Sequence, residues 1–83
     1  MRSPNRFAIR NELAAPLLLN IEPEGVHFAL GNEEEVSVID EFVSHPVTVI
    51  CNKSEDGHLI ISIWPGDGRM RVEKEGVDVF DLL

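Results

Sequence analysis

Three histidines and a cysteine, His27, His45, His58 and Cys51, are the side chains of this 83-residue chain best able to ligate a transition metal. Ligands from one element must recur on one face of it, and no two of these four do. His45 precedes Pro46 in a loop, His58 follows the Asp56-Gly57 turn, and His27 points away from the apolar side of its segment. The histidines are read as surface or loop residues. Cys51 keeps step with Val47 and Val49 and is read as a small buried apolar side chain. Glu22 and Glu24 flank Pro23 and, in an extended chain, would project on one side about 7 Å apart. Carboxylates so spaced perform acid–base chemistry or glycoside hydrolysis, but only in a cleft that raises one pKa, which so short a chain has little material to build. This pair is read as a solvated turn.

The remaining constellations are incomplete. Asp56, Asp67 and the run Glu33-Glu34-Glu35 do not fall in the order of an EF-hand loop. There is no G-x-S-x-G nucleophile frame, no dinucleotide fingerprint and no Walker loop, and Pro65-Gly66-Asp67-Gly68 is too acidic to cradle phosphate. No catalytic residue, metal or cofactor is expected. Trp64, beside that Pro-Gly-Asp-Gly turn, is the most distinctive contact residue, since an indole at a strand end can stack on a sugar or anchor a partner.

The elements that must carry these side chains are extended. Val26, Phe28 and Leu30 alternate with His27 and Ala29, and Val36 and Val38 with Ser37. Val47, Val49 and Cys51 alternate with Thr48 and Ile50. Leu59, Ile61 and Ile63 alternate with Ile60, Ser62 and Trp64, and Met70 and Val72 with Arg69, Arg71 and Glu73. Period two with β-branched residues predicts strands. Gly31-Asn32, Glu55-Asp56-Gly57, Pro65-Gly66-Asp67-Gly68 and Glu75-Gly76 punctuate them. Asp56-Gly57 reads as a hairpin with a type I′ turn. Phe7 and Ile9 alternate with Arg6 and Arg10, which favours a strand over about residues 6–11 against a helix started by Ser3-Pro4. Leu17, Leu19 and Ile21 form the inward side of a second strand, bent or ended by Pro23 and Gly25. Residues 77–83 read as a final strand. The expected fold is a single all-β domain over residues 1–83, a small antiparallel sandwich or partly open barrel of about seven short strands, with residues 1–5 as an N-terminal arm.

Charge narrows the partners. Residues 1–21 carry three arginines against one glutamate, and residues 22–83 carry four basic against fourteen acidic side chains, for a formal charge of −8. A body of that sign repels phosphate backbones and anionic membrane surfaces, so neither nucleic acid nor membrane is expected. The glutamate run and Asp40-Glu41 bracket a strand and read as protection of a sheet edge against aggregation. Arginines precede an apolar run at residues 13–19, but Glu12, Pro16 and Asn20-Ile21-Glu22 do not suit a secretory signal. With a single cysteine and no pair to suggest an oxidising compartment, a cytoplasmic protein is expected.

The layout Arg10-Asn11, Pro16-Leu17-Leu18-Leu19, Ile21-Glu22-Pro23-x-Gly25, Leu30 and Glu34-x-Val36 resembles the start of small all-β bacterial domains. These include immunoglobulin-like modules and short proteins with a Glu-Pro-x-Gly kink after the second strand. The resemblance covers about a third of the chain and implies a sandwich-like start without catalytic residues. The chain departs from such modules in being shorter and in lacking their cysteine pair.

Assigning each strand an inward side leaves a second apolar set: Leu18, Ile39, Ile50, Ile60, Trp64 and Phe80. A small domain with apolar residues on both sides of its strands invites burial against another subunit. The expected role is a non-enzymatic binding or assembly module, a homo-oligomer or partner of another protein, with Trp64, Ile60, Ile50, Leu18 and Phe80 as contact residues. A module for carbohydrate or a divalent cation, built on the Trp64 turn and the acidic loops, is the alternative.

Overall fold

The computed structural model describes residues 4–82. Eight strands form an all-β sandwich: β1 (Asn5–Arg10), β2 (Leu17–Ile21), β3 (Val26–Leu30), β4 (Glu35–Glu41), β5 (Thr48–Lys53), β6 (Leu59–Trp64), β7 (Arg69–Lys74) and β8 (Val77–Asp78). One sheet has the order β1-β4-β7-β8 and the other β3-β2-β6-β5. The two do not close into a barrel. Every neighbouring pair is antiparallel except β2 and β6, which run parallel, Leu18 beside Ile60 and Ile21 beside Ile63.

Period two decides the core. Leu17, Leu19 and Ile21 of β2, Leu30 of β3, Val36 and Val38 of β4, Ile63 of β6 and Val72 of β7 are buried between the sheets with Val79. Ile9, Val26, Phe28, Val47, Leu59, Ile61 and Met70 pack around them. Asn11 closes one end. Its side chain is buried, donating to the carbonyls of Leu30 and Ala15 and accepting from the N–H of Leu13. Its backbone donates to the Glu34 carbonyl and accepts from Glu33, so one residue ties β1, the loop before β2, and both ends of the β3–β4 loop.

Several expectations change. Cys51 is exposed, and so is Val49, because alternation assigned them to the inner face correctly but the opposite sheet does not cover β5. Ile39 is not a surface residue; it lies in register between Arg6 and Arg71 on the outer face of its sheet and is buried. The last strand is only Val77–Asp78, followed by a 3-10 turn, Val79–Leu82, while Leu83 lies outside the described residues. Asn5 is already in β1, paired with Asp40, within the stretch expected to be an arm; residues 1–3 lie outside the described residues.

Turn chemistry moved too. At Asp56-Gly57 the Gly57 N–H donates to the Ser54 carbonyl and the Ser54 N–H to His58, with only Gly57 at positive φ. That is a type I turn with a glycine bulge, not type I′. The type I′ hairpin is Glu75-Gly76, where both residues have positive φ and Lys74 pairs with Val77. Glu22 and Glu24 lie in a turn, as read from the sequence, and not in extended chain: Ile21 pairs with Val26, and the Gly25 N–H returns to the Ile21 carbonyl. Finally, β4 is flanked by β1 and β7, so the charges bracketing it protect no edge. Asp40 is buried, one carboxylate oxygen accepting the Val47 N–H and the other without a hydrogen-bond partner.

Candidate interaction surface

The two outer faces of the sandwich differ in chemistry. On the β1-β4-β7 side, basic and acidic side chains interleave. Arg10 pairs with Glu12 at 2.9 Å and Glu35 at 3.7 Å, and Arg71 and Arg6 reach Glu73 at 2.8 and 3.8 Å. The positive start of the chain is therefore laid along its acidic body. A depression of about 420 Å³ opens at one end of this face beside Glu33, Glu34, Glu75 and Lys74, where Lys74 bonds Glu34 at 2.6 Å. The Lys74 hydrogen bond, with a second from the Gly31 N–H, holds the Glu34 carboxyl below its ordinary value.

The outer face of β3-β2-β6-β5 carries no charge pattern of this kind. Register places Ala29, Leu18 and Ile60 side by side across three strands, followed by Asn52 on β5. The next row is His27, Asn20, Ser62 and Ile50, and Trp64 beside Thr48 makes the third. Leu18 and Ile60 are half-buried; Ile50 and Trp64 are exposed by 42% and 40%. Four of the five expected contact residues, Leu18, Ile60, Ile50 and Trp64, thus share one face. Phe80 does not join them: it lies on the 3-10 turn after β8, at the end of the other sheet.

The strand β5 is the open side of this surface. All six of its residues are exposed, and it is paired on one side only. The Ser54 N–H bonds the His58 carbonyl, which sets the antiparallel alternation along β5 and β6. Thr48, Ile50 and Asn52 accordingly point their backbone groups at β6, and Val49, Cys51 and Lys53 point theirs at the free edge.

The Trp64 turn has a structural duty that sequence reasoning missed. Asp67, between Gly66 and Gly68, accepts backbone N–H bonds from Val43 at 2.9 Å, Ser44 at 2.8 Å and His45 at 3.0 Å, and meets the His45 ring at 3.3 Å. The bond from Val43 leads in drawing its pKa from 3.8 to about 2, with Ser44 and His45 adding to it. Asp56 is drawn from 3.8 to about 2 chiefly by the Ser54 hydroxyl, then by His58. A carboxyl with a depressed folded pKa contributes stability in full above its ordinary value and loses it as pH falls toward the folded one. The thermal midpoint should therefore fall as pH drops from about 4 to 2. In Asp67→Asn the midpoint is lower at neutral pH and this acid limb is shallower, with Asp56 and Glu34 contributing to what remains. Melts followed by circular dichroism across that window check it; parallel profiles for the two proteins would refute it.

Among the described residues, no three of His, Cys, Asp and Glu come together so as to hold a metal ion. No helix of the described residues is long and apolar enough to cross a membrane. Comparison with protein-family models, with curated proteins and with solved structures finds no match.

Proposed function

We propose that this protein is a non-enzymatic assembly module that self-associates through the β3-β2-β6-β5 sheet. The observation that carries the reading is the contrast between the two outer faces. One is a lattice of ion pairs suited to water. The other gathers Ala29, Leu18, Ile60, Ile50 and Trp64 on a face that ends in the exposed strand β5. Half-buried Leu18 and Ile60 on one face with the exposed Ile50 and Trp64 have the composition of a contact surface, where aromatic anchors contribute most. Asp67 supports the protein-contact reading over a cation site at the Trp64 turn, since its oxygens are already occupied by three backbone donors.

Sedimentation velocity over a range of concentrations tests this directly. The expected result is a species heavier than 9.3 kDa whose population grows with concentration. Trp64→Ala is expected to weaken association by about tenfold or more, as truncation of an aromatic anchor does. A monomer at about 1 mM, the weak end of specific association, would overturn the reading. Changes in Trp64 fluorescence on titration with sugars or calcium, in a protein that stays monomeric, would favour a ligand-binding module instead.

A further inference from the structure

We infer that β5 pairs antiparallel with β5 of a second copy about a two-fold axis at Ile50, joining two sheets into one of eight strands. The inference rests on the self-association reading and specifies which part of the sheet meets its mate and in what register.

Three observations carry it. The first is the free edge: Val49, Cys51 and Lys53 present backbone donors and acceptors with no strand beside them, and unpaired edge groups recruit another strand. The second is charge. Two copies of a chain at −8 repel each other, and residues 42–54 are the longest run in the sequence without an acidic side chain, with Lys53 the only charged residue of β5. That run lowers the repulsion along the β5 edge. The third is self-complementarity, which a two-fold contact requires. With Ile50 opposite Ile50, Thr48 meets Asn52 and Val49 meets Cys51, so the five central residues match polar with polar and apolar with apolar, and only Lys53, at the strand end, falls opposite an apolar residue, Val47. Shifting the axis to Cys51 sets Ile50 against Asn52 and Val49 against Lys53. Shifting it to Val49 sets Thr48 against Ile50.

The outward backbone groups of Val49 and Cys51 are then the hydrogen-bonded pairs of the new ladder, giving four bonds between copies. Ile50 sits at a non-hydrogen-bonded pair with Cα atoms about 4.5 Å apart, and the apolar rows containing Ile60 and Leu18 flank it on both sides of the axis.

The orientation of the edge groups supplies the experiment. Cys51→Pro removes an N–H that no intramolecular bond uses, at a position on an edge strand where proline is tolerated. It is expected to raise the dimer dissociation constant by about tenfold or more with the far-ultraviolet spectrum unchanged. Should that variant lose its spectrum, Ile50→Lys, at an exposed site, places two ammonium groups face to face and is expected to give a folded monomer. Register is read by cross-linking. Ile50→Cys in a Cys51→Ser background is expected to form a disulfide-linked dimer on mild oxidation, its Cα separation falling within the range of about 4.4–6.8 Å that the bond needs. The unaltered chain is not, because Cys51 lies diagonal to its mate at about 7–8 Å. Cross-linking of the unaltered chain in preference to the Ile50→Cys variant overturns the register. A dimer that survives both Cys51→Pro and Ile50→Lys but is lost in Trp64→Ala overturns edge pairing while leaving self-association through the face. A monomer throughout overturns both.

Discussion

Asn11→Asp, a change of one amide for one carboxylate, is expected to be among the most damaging substitutions in the chain. The Asn11 side chain is 1% exposed and each of its polar atoms is used: Nδ2 donates to the Leu30 carbonyl at 2.8 Å and to Ala15 at 3.0 Å, while Oδ1 accepts from Leu13 at 2.8 Å. Aspartate keeps the acceptor but replaces the donor by a second oxygen facing two carbonyl oxygens in a site closed to water. The loss combines unmade hydrogen bonds, at about 1–3 kcal/mol for each buried group left unsatisfied, with the cost of an unpaired buried charge. A domain of this size is stable by about 4–12 kcal/mol in total. A loss of about 3–5 kcal/mol therefore removes much of it. Asn11→Leu keeps volume without adding charge and should cost less, about 2–3 kcal/mol, because only the unmade bonds remain. Urea unfolding at neutral pH checks both. The order aspartate worse than leucine is the decisive result, and midpoints equal to that of the unaltered protein would show that the hydrogen bonds of Asn11 contribute nothing.

Gly66→Ala is the second. A Cβ at Gly66 would overlap the His45 carbonyl oxygen and lie 2.6 Å from that of Pro46. At Gly68 it would meet the Glu41 carbonyl and stand 2.6 Å from the Phe42 Cα. Both obstacles are backbone, so neither can rotate aside. The loop from Phe42 to Pro46 must move, and that movement pulls Val43, Ser44 and His45 off the Asp67 carboxylate. Overpacking of this kind costs about 3 kcal/mol or more. Gly25→Ala is the informative control, since nothing lies within 4 Å of its Cβ and the cost is only that of φ +74° for a non-glycine residue, about 1–2 kcal/mol. Thermal or urea unfolding should rank Gly66→Ala well below Gly25→Ala in stability. The reverse order would mean that the 42–46 loop is free to relax.

The core was legible in the sequence for a simple physical reason. In a two-layer sandwich each strand has one covered side, and Leu17, Leu19 and Ile21, Val36 and Val38, and Ile63 and Val72 announce theirs by period two. Alternation cannot say whether the facing sheet reaches far enough to cover a given strand, which is why Cys51 and Val49 were placed on the right side but at the wrong depth. Nor does it report which strands are neighbours. The acidic residues around β4 looked like edge protection until β1 and β7 flanked them, and Asp40 became an internal acceptor for Val47. Asp67 was readable only as a turn residue, because its three donors lie more than twenty positions upstream. Of the contact residues, Leu18, Ile60, Ile50 and Trp64 were found by subtraction, as apolar residues without an inward place. Phe80 and Ile39 met the same criterion and went elsewhere: Phe80 is exposed on the 3-10 turn at the end of the other sheet, and Ile39 is buried on that sheet between Arg6 and Arg71.

The parallel pairing of β2 with β6 sets the order in which the chain can fold. Joining Leu18 to Ile60 closes a loop of about half the chain, an entropy cost met before either central strand has both neighbours. The β5–β6 hairpin needs no such closure and forms on the timescale of about 1–10 μs. During synthesis β2 and β3 emerge early and wait, one side unpaired, until β6 has been made. The β5 edge therefore exists, in a local hairpin with β6, before the sandwich that it belongs to is complete.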